Sequence, residues 1–127
     1  MLYYLKAIPT KQSCSLRTDV MTIAIRNIFE LPSDLPFVEV LETLVDTETV
    51  FIEKVISTGQ ITPDGEWYDQ DRSEWLIVLQ GEGELGYEDG SRIKLTVGDY
   101  LLIPAHQKHR VEYTSTEPPC IWLTIFF

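Results

Sequence analysis

The feature that most constrains this chain is the closeness of its breaks. From Val50 onward, short apolar or alternating runs are interrupted by Gly, Pro, Asp and Ser before any of them could complete a helix of ordinary length. Phe51, Glu53 and Val55 alternate with Val50, Ile52 and Lys54, the period-2 pattern of a strand with one face on a core. Trp75 to Leu79 is a continuous apolar run, and Glu84 to Tyr87 leads into Asp89-Gly90, a pair that favours a hairpin because its turn needs positive φ. Arg92 to Leu95 reads as the returning strand. Tyr100 to Ile103, His109 to Tyr113 and Cys120 to Phe127 complete the series, and the one stretch compatible with a short helix is Asn27 to Asp34. Seven or eight short strands with such frequent turns predict an all-β fold, an antiparallel sandwich or small barrel. The interior of such a barrel holds side chains or one small ligand.

Size and charge narrow the function. With 127 residues, 44% of them hydrophobic and 24% charged, the chain is expected to fold as one domain. A net charge of −10 repels phosphate backbones and anionic lipid, so neither nucleic acid nor membrane is an expected partner. Met1 to Thr10 lacks the features of a secretory signal, so a cytoplasmic location is expected. Cys14 and Cys120 fit no metal-binding spacing and are read as reduced thiols. Residues 1–20 differ from the rest, holding three of the ten basic residues and one acid. They are read as an N-terminal arm or an upstream extension, with the domain over residues 21–127.

Two spacings carry a family resemblance. Gly98, five residues, Pro104, one residue, a position held by His106, two residues and His109 match the second motif of the cupin superfamily, with His106 where that motif has its second Gly. Glu74 and Gly81 match the end of the first motif. The chain therefore resembles a small single-domain bacterial cupin, which implies a mostly antiparallel jelly-roll barrel, the double-stranded β-helix. Metal-binding cupins place a His-x-His pair three or four residues before the Glu. Here those positions hold Trp67 and Asp69, or Tyr68 and Gln70, and His106 and His109 are the chain's two histidines. A three-His site is impossible. What the resemblance leaves is a mixed site of Glu74 and His109 with Asp69 or Gln70, suited to Zn, Mn, Fe or Ni. The segment WYDQD, at Trp67 to Asp71, stands where the His pair would be in a set of small cupins of unassigned activity.

The candidate residues follow. His106 and Tyr68 are candidates to exchange a proton with a ligand; Trp67, Tyr68, Gln70 and Tyr113 are candidates to bind it; Glu74, His109, Asp69 and Gln70 are the candidate metal ligands. Each has a plainer role open to it: His109 as a strand-end cap, His106 as an exposed turn residue, the acids from Asp64 to Glu74 as a solvated loop, and the aromatics as packing. Trp75 and Trp122 read as core. No phosphate-cradling Gly loop or nucleophile elbow is present, which removes phosphoryl transfer and triad hydrolysis. Three functions remain open. They are a barrel with a divalent metal, a metal-free pocket for a sugar or other small molecule with a His–acid pair able to act as in epimerase-like cupins, and a homodimer surface formed with the apolar C-terminal strand.

Overall fold

The structure is a computed structural model that describes residues 23–127. The expected arm over residues 1–20 and the boundary at Met21 lie outside the described residues. Among the described residues eight strands follow in chain order: β1 (Val40–Asp46), β2 (Phe51–Ser57), β3 (Glu74–Gln80), β4 (Gly83–Tyr87), β5 (Arg92–Leu95), β6 (Tyr100–Ile103), β7 (His109–Thr114) and β8 (Cys120–Phe126). They form a five-stranded sheet in the order β1-β2-β8-β3-β6 and a three-stranded sheet in the order β5-β4-β7. Every pairing is antiparallel.

The turns form where the sequence places them. Asp89-Gly90 joins β4 to β5, with Gly90 at φ 84° and its amide donating to the Tyr87 carbonyl at 3.0 Å. Gly98 takes φ 89°, and its amide donates to the Val78 carbonyl at 2.8 Å, while the Asp99 carboxylate accepts from the amide and hydroxyl of Thr96. That turn ties β6 to the edge of β3.

The short helix that Asn27 to Asp34 could have carried does not form. Glu30 donates to the Asn27 carbonyl and Phe29 to the Asn27 side chain at 2.8 Å, which closes a single turn. The physical reason is local: an Asx turn competes with helical bonding, and Pro32 and Pro36 remove donors and restrict the residues before them.

The two sheets face each other across one core of Val55, Leu76, Val78, Leu85, Leu95, Ile103, Cys120 and Trp122. Trp122 is core as read from the sequence; Trp75 instead lies on the outer side of β3, its ring 5.5 Å from that of Tyr100. β2 departs from the expectation of one buried face. Phe51, Glu53, Val55 and Ser57 are buried, but so are Lys54 and Ile56 on the opposite face. Lys54 is accommodated there because its ammonium donates to the Glu30 carbonyl and lies 3.7 Å from Glu42, so the chain before β1 covers this strand. A buried cation needs such partners.

Candidate functional site

Between the sheets lies a cavity of about 200 Å³. Its wall is mostly apolar, with Val55, Leu76, Leu85, Val111 and Trp122 contributing, and its polar groups are the side chains of Glu39, Glu53, Tyr68, Glu74, His109 and Thr124. Strand alternation explains the selection. Glu53 and Val55 share the inward face of β2, and register sets Glu53 opposite Thr124 of β8, which in turn lies opposite Leu76 of β3.

His109 begins β7 and is held from two sides. Its Nδ1 lies 2.8 Å from the Gln107 carbonyl, which can only accept, so Nδ1 carries a proton and Nε2 faces the cavity side. Glu74 Oε1 is 3.4 Å from that Nε2, with both side chains buried. This separation is long for a hydrogen bond, and Glu74 Oε1 has no hydrogen-bond partner among the described residues. Chemically the pair is an acceptor and a base that can share one added proton between them.

Tyr68 packs its ring on His109 with centroids 5.5 Å apart, and the two backbones form a bridge in which Tyr68 donates to the His109 carbonyl at 2.7 Å and His109 donates back at 3.1 Å. The segment that replaces the His pair thus supplies an aromatic wall to the remaining histidine. Glu53 is the most enclosed polar group. It is 0% exposed, and neither carboxylate oxygen has a hydrogen-bond partner among the described residues. Burial, reinforced by the carboxylates of Glu39 and Glu74, pushes the Glu53 carboxyl up to about 7. Burial also raises the Glu39 carboxyl, against the opposing effect of the Ser57 hydroxyl that donates to it at 2.7 Å.

The sequence-based candidates therefore divide. Glu74, His109 and Tyr68 meet at the cavity. His106 and Asp69 pair with each other at 3.0 Å on an exposed loop, with Asp71 at 3.7 Å from the other ring nitrogen. Gln70 accepts the His106 amide at its carbonyl, and its buried side-chain nitrogen has no partner among the described residues. Trp67 lies beneath the Arg110 guanidinium, 5.8 Å from its ring centre. Tyr113 is exposed on β7. None of His106, Asp69, Gln70, Trp67 and Tyr113 lines the cavity. Sequence reasoning missed Glu39 and Glu53. The signal for Glu53 was present, since an acid between Phe51 and Val55 shares their face.

The donor set does not fit the metal that the family resemblance implies. Among the described residues no group of three or more His, Cys, Asp and Glu side chains is placed to hold an ion. Glu74 and His109 supply two donors, and Asp69 is turned to His106; metal centres ordinarily need three protein ligands.

Comparison with known proteins agrees with this architecture. The cupin domain family matches residues 56–126, and the chain belongs to the cupin superfamily. A protein from Ralstonia eutropha JMP134, named as a candidate mannose-6-phosphate isomerase, is 32% identical with a TM-score of 0.73, over 82% of this chain and 97% of that one. An RmlC-like cupin with a double-stranded β-helix fold from Methanocaldococcus jannaschii is 22% identical, with a TM-score of 0.61 over 81% of this chain and 91% of that one. A cupin superfamily protein from Desulfitobacterium hafniense DCB-2 is 18% identical, with a TM-score of 0.62 over 76% and 83%. No curated protein matches the chain.

Proposed function

We propose that this cupin binds a small molecule in the cavity between its sheets, and that Glu74, His109 and Tyr68 are its functional centre. One observation carries the reading: the mostly apolar cavity contains buried carboxylate oxygens of Glu53 and Glu74 that no described group satisfies. Buried polar atoms without partners are expensive, and a ligand that pairs with them removes that cost. The Glu74–His109 pair gives the site the means to accept a proton from the ligand and return it, the chemistry of an epimerase-like cupin. The sugar-phosphate activity named for the Ralstonia protein does not transfer easily. No Lys or Arg lines this cavity among the described residues, so a phosphate would meet carboxylates without a counter-charge.

A metal-free pocket, a homodimer and a cytoplasmic location complete the proposal. The free, buried Cys120 supports the location. The C-terminal strand expected to form a homodimer surface is instead β8, paired on both sides by β2 and β3 with Ile121, Trp122 and Phe126 buried, and it is the exposed Tyr100 and Leu102 on the outer side of β6 that support a second copy as partner. Elemental analysis of protein purified without chelator, with native mass spectrometry of the same sample, tests the pocket. The expected result is no stoichiometric metal and a bound organic molecule that Val55→Trp, which fills the cavity, displaces. One equivalent of Zn, Mn, Fe or Ni that disappears in His109→Ala would replace this reading with a metal centre. A bound molecule that survives Val55→Trp would place the ligand elsewhere.

A further inference from the structure

The cavity's charge balance indicates what it accepts. Three carboxylates, Glu39, Glu53 and Glu74, face it with one imidazole, and no ammonium or guanidinium lines it among the described residues. Glu39 has a partner of its own in the Ser57 hydroxyl. Glu53 has none on either oxygen although it is completely buried, and Glu74 Oε1 has none either. Above about pH 7, where Glu53 has released its proton, these unpaired atoms are acceptors, so the complementary ligand group is a donor, and the excess of acids favours a donor that brings positive charge. Around them the wall is hydrocarbon from Val55, Leu76, Leu85 and Val111, with Tyr68 and Trp122 offering ring faces that also attract a cation. The volume fixes the scale: a dry cavity of roughly 150 Å³ holds a benzene ring, and this one measures about 200 Å³.

Resting on the pocket reading above, we propose that the ligand is a small organic cation, a protonated amine on a single ring or short apolar chain. Its ammonium is held between Glu53 and Glu74, and its hydrocarbon part lies against Val55, Leu76, Leu85 and Trp122. The Glu74–His109 pair then sits beside the carbon that bears the nitrogen. Neutral polyols are disfavoured because the apolar wall leaves most of their hydroxyls unpaired, and anions because three carboxylates outnumber the one imidazole.

Calorimetric titration of the full chain at about pH 8, where Glu53 is ionised, with benzylammonium, benzyl alcohol and benzoate, three probes of one shape and different charge, tests this. Benzylammonium is expected to bind one-to-one and at least about tenfold more tightly than benzyl alcohol, a difference of about 1.4 kcal/mol, with benzoate not binding. Glu53→Gln keeps the shape of the side chain and removes the charge, so it should weaken benzylammonium at least about tenfold while the circular dichroism spectrum is unchanged. Glu74→Gln provides the same comparison should Glu53→Gln fail to fold. Equal binding of the alcohol, tighter binding of benzoate, no binding of benzylammonium, or unchanged affinity in the folded Gln variants would each overturn the cation assignment. If benzyl alcohol binds as well as the amine and Val55→Trp abolishes both, the pocket stands and only the charge preference falls.

Discussion

At the scale of single residues, Glu53 and His106 show opposite relations to the fold. Glu53 is held with its carboxyl raised to about 7 from an ordinary value of 4.5, first by burial and then by Glu39 and Glu74. Between those values the folded chain keeps a proton that the unfolded chain has released, so the stabilisation is complete below the lower value and is lost as pH rises through about 7. Thermal melts across this window should show Tm falling with pH, and Glu53→Gln should flatten the fall and raise Tm at about pH 8. A parallel slope in the variant would remove Glu53 as its source. His106 adopts φ 66°, the left-handed conformation that explains why the family motif places Gly there. That conformation costs a non-glycine residue about 1–2 kcal/mol, whereas its exposed contact with Asp69 contributes about 0–1 kcal/mol. His106→Gly is therefore expected to preserve or raise Tm by a few degrees and to leave ligand binding in the cavity intact. Loss of binding in that variant would return His106 to the site.

At the scale of elements, the packing of β4 on β8 is the sharpest constraint. A Cβ at Gly83 would overlap the buried Trp122 ring, so the absence of a side chain lets the two sheets approach. Gly83→Ala should cost about 1–3 kcal/mol by overpacking, read as a lower denaturant midpoint with an unchanged slope. An unaffected midpoint would show that Trp122 moves aside without penalty. Strand positions from β2 to β8 were legible because their alternation and turn residues are local properties. β2 was legible only in part: period-2 alternation announces a strand, but whether its second face meets solvent depends on the segment that crosses it. The one stretch compatible with a helix, Asn27 to Asp34, does not form one because a single Asx turn followed by prolines outweighed the residues that favour a helix.

At the scale of the molecule, the outer side of β3 and β6 carries Trp75, Tyr100 and Leu102 together, with Tyr100 66% and Leu102 54% exposed. Apolar side chains at a sheet edge invite a second copy. Sedimentation is expected to give twice the chain mass, and Leu102→Lys to reduce it to one; a wild-type chain that sediments singly would rule out the dimer. The family and the barrel could be taken from the sequence because the motif spacings lie within short turns, and it was the family resemblance that implied Glu74 and His109 lie near each other. Those spacings do not tell which candidate side chains share a cavity. Asp69 and Tyr68 are neighbours in sequence, yet alternation sends one to the surface with His106 and the other onto His109. Glu39 and Glu53 belong to the site because β1 and β2 pair and the two sheets close over them, a long-range event with no local signature. Local periodicity and turn residues, both properties of short segments, set the strands and the turn chemistry. That three acids face one imidazole in an apolar cavity follows from the closing of the two sheets, since burial and charge crowding arise from packing between segments far apart in the chain.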